Sequence, residues 1–458
     1  MAPSIAPERE SSAASASLRR CLGPLEVTAQ AIATIGLTLT AVINIPEAMR
    51  SAGRGTWISY AIALVAVLLV CETLVLFRRL PPGPRGIAAY VEAGLGARAS
   101  LLASWTLLLG YGAAFLACLA FLGFYLDRLL VHIGLPGLGV GGFLLGGLAC
   151  LLLARRDVRL STGTMLLTES LSVLIVLVLT LLVLRQGGPA QDLRAIDPIG
   201  DTRGQVSSGL MVAVLSFIGF ESAANLGAEA LHPQRVVPRA MRLAVIAAGL
   251  LFVLWAVALP EGLAWLPASQ RYGLDAVSEL ADRLGQHGAG LWIRFGTFLC
   301  LFGSSLGALN AMGRLAFSLA GARLLPRSLA LVDSRAGAPA RALSAVALPV
   351  IAGGALPVAR GLSASQLFDR FGGFAVLAFL LVYGLVALSS LRTPLPGPSA
   401  RRRWLVGGSC LLAVSAIAIA YLAGVIAQQG PMLLTFAALL LLGVLRLLWL
   451  GPAQPAGS

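Results

Sequence analysis

The chain of 458 residues contains no lysine; all 34 of its basic residues are arginine. No ammonium side chain is therefore available as a fixed charge or as a proton carrier. Charge of either sign is scarce. Only 12% of residues are Asp, Glu, Lys or Arg, where a soluble domain carries about a quarter. The six cysteines, Cys21, Cys71, Cys118, Cys150, Cys300 and Cys410, are scattered and form no CxxC or Cys/His spacing, which argues against a metal cluster or a disulfide framework. His132, His232 and His287 lie far apart, and neither a nucleophile–base spacing nor a phosphate-binding loop occurs, so the chain does not read as an enzyme. Residues 1–20 mix Ser, Ala, Pro, Glu and Arg without an apolar core. They do not make a signal peptide, and a disordered cytosolic tail is expected over 1–25.

Apolar sequence is abundant instead: 58% of residues are hydrophobic and the mean hydropathy is +0.87. Runs of spanning length, each about 20 residues, recur about twelve times, near 27–49, 57–77, 99–130, 137–154, 162–184, 206–230, 240–260, 290–320, 342–359, 366–390, 404–427 and 431–450. The expected fold is an all-α polytopic membrane protein. The arginines fall between these runs, which points to membrane lipid as their partner and away from nucleic acid. Six clusters share one side: 9, 19, 20; 78, 79, 85, 98; 155, 156, 159; 235, 239, 242; 323, 327, 335, 341; and 392, 401, 402, 403. They make about twenty-one arginines against about eleven on the other side. The arginine-rich side is the cytosolic one by this rule, with both termini inside. Of the two longer outer loops, 261–288 carries Leu274, Val277, Leu280, Ala281 and Leu284 at helical spacing, predicting a short interfacial helix.

Two spans are too polar for plain lipid-facing helices. The sixth reads Leu215-Ser216-Phe217-Ile218-Gly219-Phe220-Glu221-Ser222 and places a carboxylate at mid-depth. Such a group costs about 2.5–3.5 kcal/mol on insertion scales and persists only where something solvates or pairs with it. The first carries Thr34, Thr38, Thr40, Asn44 and Pro46. Interrupted helices in corresponding positions of two halves point to a transporter site built on inverted repeats. Close packing through Thr and Gly is the alternative for either span alone.

The sixth span resembles that of the amino acid–polyamine–organocation (APC) permeases: Phe217-Ile218-Gly219-Phe220-Glu221, then Glu229, Pro233, Arg235 and Pro238. Other pieces follow in that superfamily's order: Glu72, Pro81, Gly83, Tyr90 and Gly96; Trp105 and Tyr111; Asn310 and Arg314, then Leu325-Pro326. The resemblance covers about residues 26–392. It implies a five-plus-five inverted-repeat fold (26–390, with repeats near 27–185 and 205–390), two further helices over 391–450 and a tail at 451–458. It also implies a secondary transporter holding an amino acid between unwound parts of the first and sixth helices, with another organic amine or metabolite as the alternative. The substrate-binding positions are Thr40, Ala41, Val42, Tyr111, Phe217, Ile218, Gly219, Phe220 and Glu221. The amides of 40–42 would receive a carboxylate, although Leu39-Thr40-Ala41 stands where the family carries G-[ST]-G. Glu221 is expected as a hub bracing the broken helix, Phe217 or Phe220 as a gate or as packing, and Glu229 as a partner of Arg235 or Arg239. No cofactor is implied. The coupling ion is either Na+, held by carbonyls near Ala41 and Asn44 with Ser304 and Ser305, or H+, carried by Glu169 or Glu221; uncoupled exchange is a third option. Nothing in the sequence sets an oligomeric state.

Overall fold

A computed structural model describes residues 18, 20–80, 86–156, 158–185, 203–284, 288–332, 338–393, 399–426 and 430–449. Most of the expected tail (1–17 and 19), the outer loop 186–202, Pro81, Gly83, Arg85, His287, Arg335 and residues 450–458 lie outside them. The described chain is helical throughout apart from turns and one isolated bridge, Leu22 to Ala230. Eleven helices are long and apolar enough to cross a membrane, and a shorter apolar helix, Val140–Ala154, lies where the fourth span is expected. The chain is a multi-pass membrane protein of about twelve spans.

The first span is three helical pieces, α1 (Pro24–Ile35), α2 (Leu37–Leu39) and α3 (Ile45–Ala52), with a π turn over Thr40–Asn44 between the last two. Pro24 sits at the first helical turn, where its missing N–H costs nothing, and Glu26 reaches back to accept from Gly23 N at 2.9 Å. Within the stretch expected as a tail, Cys21 N and Leu22 N donate to Glu229 O, and Leu22 is fully buried. Then follow α4 (Thr56–Leu76), α5 (Ala88–His132, kinked at Gly96), α6 (Val140–Ala154) and α7 (Val158–Arg185). The sixth span is α8 (Arg203–Leu215), a turn and a 3-10 segment over Phe220–Leu226. It is followed by α9 (Pro233–Leu263), the outer helix α10 (Ala276–Arg283), α11 (Ala289–Gly321), α12 (Ala340–Ala359), α13 (Ala364–Arg392), α14 (Ala400–Ile426) and α15 (Gly430–Trp449). The predicted interfacial helix is α10.

α5 packs lengthwise against α13 and α11, α11 against α7, and α4 against α9. α14 and α15 lie outside this core and are mostly exposed. Polar links between segments respect the two faces read from the arginines. On the arginine-rich face Arg159 donates to Cys21 O, and Arg242 pairs in a bidentate fashion with Glu72. On the other face Asp275 receives both Arg128 and Arg294, and Tyr125 donates to Leu274 O at 2.7 Å.

Candidate functional site

The first span breaks at Gly36, not at residues 39–41. Gly36 has φ 72°, a left-handed conformation that costs glycine little and other residues about 1–2 kcal/mol. Thr40 N donates to Gly36 O at 3.1 Å, so the amide of Thr40 is used inside the helix, and Ala41 and Val42 lie within the π turn. The expected carboxylate donors at 40–42 are therefore corrected: the amides freed by the break belong to residues 37–39. Two of them are already engaged. Leu37 N donates to Glu169 Oε1 of α7 at 2.7 Å, and Leu39 N meets Cys300 Sγ of α11 at 3.3 Å. Thr38 Oγ1 donates to Ser172 Oγ at 3.1 Å, one helical turn beyond Glu169. A carboxylate from within the chain thus sits at the positive end of the resumed first helix, the arrangement that a helix dipole favours. Its other oxygen, Oε2, is buried without a hydrogen-bond partner among the described residues, as are Thr40 Oγ1 and Ser305 Oγ.

The sixth span breaks at Gly219, φ 119°. A side chain could not be added there: its Cβ would lie 2.7 Å from the carbonyl carbon and oxygen of Thr34. The two breaks therefore touch. Ser222 Oγ donates to Thr34 Oγ1 at 3.1 Å and to Gln30 O at 3.3 Å, and Gln30 Nε2 donates to Gly307 O of α11 at 2.9 Å. Glu221 is buried and held by three donors: Tyr111 OH of α5 on Oε1 at 2.8 Å, Tyr383 OH of α13 on Oε2 at 2.7 Å, and Gly219 N on Oε2 at 3.1 Å. Asn225 Nδ2 donates to Tyr111 OH at 3.3 Å. This cage ties the irregular segment to α5 and α13 and satisfies a carboxylate that lipid could not.

The aromatic residues at the break are packed away. Phe217 lies edge-on to Phe252 of α9 with centroids 5.0 Å apart, and Phe220 lies against Tyr383 at 6.1 Å; both phenylalanines are buried. In this arrangement they pack. Ile218 is half-buried beside a void of about 20 Å³ between α4, α8, α13 and α14.

The four positions expected to hold an ion do not gather. Ser304 Oγ donates to Ala33 O at 2.8 Å, whereas the Asn44 amide donates to Ser216 Oγ at 3.0 Å. Ser304 therefore belongs with the Gly36 break and Asn44 with α8. Ser304 thus meets the carbonyl at Ala33 rather than one at Ala41 or Asn44.

A second buried group closes the arginine-rich end. Arg314 Nε and Nη2 donate to the two oxygens of Glu229, the second at 3.0 Å, and both side chains are 1% exposed. Arg314 Nη1 donates to Asn310 O at 3.0 Å, and Asn310 Nδ2 donates to Ser161 Oγ of α7 at 2.7 Å. Glu229 therefore pairs with Arg314, not with Arg235 or Arg239, which are exposed. Arg314 lies inside an apolar span and has more to gain from a carboxylate than an arginine facing water. The residues that sequence reasoning missed were each visible as a polar tip in an apolar run: Gln30, Tyr383, Cys300 and Arg314 itself.

The sequence model of the amino acid permease family matches residues 22–445. Cationic amino acid transporter 4 of Homo sapiens is 27% identical over 356 residues, 72% of this chain and 54% of that protein. An uncharacterised transporter of Mycobacterium tuberculosis is 26% identical over 377 residues, 81% of this chain and 80% of that protein. The chain thus spans about half the length of the human protein and about four-fifths of the mycobacterial one. With the family match running across nearly all of its described helices, the chain belongs to the amino acid permease family.

Proposed function

We propose that the protein is a secondary transporter of the cytoplasmic membrane, with both termini cytosolic, that moves an amino acid by alternating access. The solute is held where the Gly36 and Gly219 breaks meet, on two repeats near 27–185 and 205–390 that carry two further helices. The observation behind this reading is the contact between the breaks. Irregular backbone at membrane depth is tolerated only inside protein or along a cavity, and two such segments abut here with Gln30, Glu221, Ser222 and Ser304 around them. Glu221 acts as the brace of the sixth span. Coupling falls to the neighbouring group on α1, α7 and α11: Ala33 O, Ser304 and Ser305 are oxygen donors suited to Na+, and the Glu169 carboxylate is a carrier for H+.

One observation favours a second reading, transport of an organic amine. Glu169 already fills the helix end at Leu37 N that a substrate carboxylate would take. A cationic amino acid, as the name of the human relative suggests for that protein, lies between the two readings. Uptake into proteoliposomes separates them, using radiolabelled neutral and cationic amino acids and their decarboxylated amines, with sodium and proton gradients imposed separately. Saturable uptake of amino acids supports the first reading and uptake of amines alone the second. The absence of both would remove the transport proposal.

A further inference from the structure

A cavity lies away from the helix breaks, on the arginine-rich face, between the end of α6 and the start of α12. It is open on one side, holds about 860 Å³ and is lined by Arg155, Arg341, Ser344, Ala345, Leu348 and Pro349, with Leu331 and Val332 as a further wall. Residues 341, 344, 345 and 348 are spaced i, i+3, i+4 and i+7, so they form one stripe on α12. The stripe runs from a guanidinium through a hydroxyl to apolar side chains over about 10 Å, passing from the membrane edge into the span Ala340–Ala359.

Its two arginines differ from those on this side that the protein itself holds. Arg159 is held by Cys21 O, Arg242 by Glu72, Arg314 by Glu229 and Arg403 by Thr393 O. Arg155 and Arg341 are exposed and pair with no carboxylate among the described residues, and among those residues no acidic side chain lines the cavity. A soluble anion would use only the charged end. A phospholipid presents an anionic head and then apolar chains in the same order along the same axis, and basic pockets between membrane helices suit such headgroups.

We propose that this cavity binds one anionic phospholipid of the leaflet on the arginine-rich side, its phosphate between Arg155 and Arg341 and an acyl chain along Ala345, Leu348 and Pro349. The test uses the full-length protein in a neutral detergent, titrated with phosphatidylglycerol, phosphatidylcholine or soluble glycerol phosphate, and reads melting temperature together with lipid retained in native mass spectra. Phosphatidylglycerol should raise the melting temperature saturably, with one lipid retained, and the other two should not. Arg155→Gln combined with Arg341→Gln should weaken the phosphatidylglycerol midpoint about twenty-five-fold, taking about a factor of five for each arginine near a lipid headgroup. Ala345→Trp, which fills the groove and leaves both charges, should weaken it as well; it stands alone if the double variant does not fold. An equal effect of glycerol phosphate would make this a soluble-anion site and overturn the proposal. So would a phosphatidylglycerol response unchanged in Ala345→Trp, or none in the wild type.

Discussion

Removing either partner of the Arg314–Glu229 pair should cost far more than removing both. The pair is bidentate, each side chain is 1% exposed, and Arg314 has its third nitrogen on Asn310. With Arg314→Met, Glu229 keeps a charge with no cation against it; with Glu229→Leu, the guanidinium keeps a charge with no anion against it. Uncompensated buried charges of this kind cost about 3–5 kcal/mol, whereas replacing a buried pair by apolar residues of similar volume is often neutral or stabilising by about 1–4 kcal/mol. Glu229→Leu with Arg314→Met should therefore recover most of what either single change loses. Glu229 O still receives Cys21 N and Leu22 N through the backbone, so the bridge to Ala230 survives the double change. Denaturant unfolding in micelles, read as free energies in a double-mutant cycle, is the measurement. A coupling energy below about 1 kcal/mol, or a double variant as unstable as the worse single one, would refute the argument. Uptake assayed on the same proteins answers a separate question. If the pair must open for the sixth span to move, the stable double variant will be folded and altered in its rate.

Three further outcomes follow from the same geometry. Glu221→Gln keeps the shape but loses the charge that Tyr111, Tyr383 and Gly219 N all address; at about 1.5–3 kcal/mol per charged hydrogen bond, uptake should fall at least about tenfold in protein that still folds, and wild-type uptake removes Glu221 from the mechanism. Glu169→Gln retains an acceptor for Leu37 N but cannot exchange a proton, so uptake should stop responding to an imposed proton gradient while sodium stimulation, if present, survives; an unchanged response returns Glu169 to a structural role. Gly36→Ala meets φ 72° and a Cβ 2.7 Å from Ser304 Oγ; a loss of about 1–2 kcal/mol is expected, part of it restored by Ser304→Ala in the same chain, and an unaffected melting temperature would contradict the break as described.

The architecture was legible because bilayer thickness and arginine placement are strong constraints that act on composition rather than on side-chain geometry. The twelve apolar runs map onto eleven long helices and Val140–Ala154, and the links Arg159–Cys21 and Arg128–Asp275 keep to their faces. Glu221 was legible for the same reason: a carboxylate in an apolar run announces that donors surround it. Which donors was not, since Tyr383 lies 162 residues away in another span and a lone tyrosine there carries no local pattern. Arg314 shows the limit from the other side. Its burial demanded a carboxylate, but sequence proximity favoured Arg235 and Arg239 for Glu229, and proximity in the chain is a poor guide where every helix packs against several others.

The displaced break in the first span has a physical cause that bears on function. A chain that leaves the α-helix and restarts it needs one residue that accepts positive φ, and between Ile32 and Asn44 the only glycine is Gly36. Leu39, Thr40 and Ala41 stay helical, the extra residue being absorbed as the π turn Thr40–Asn44. Moving the break about one turn moves the freed amides to Leu37, Thr38 and Leu39; Leu37 N faces Glu169 of α7, Leu39 N faces Cys300 of α11, and the Thr38 hydroxyl faces Ser172. A carboxylate on α7 can reach Leu37 N there, and it does. The missing glycines at 39 and 41 and the carboxylate at 169 are thus two parts of one arrangement. The first prevents the helix from opening at 39–41, and the second satisfies the helix end created at Gly36. A substrate carboxylate must then displace Glu169, be received elsewhere along the break, or be absent from the solute, and comparing an amino acid with its decarboxylated amine in Glu169→Gln distinguishes the three. Displacement predicts tighter amino acid binding in the variant, reception elsewhere predicts no change for either ligand, and absence predicts loss of amine binding alone.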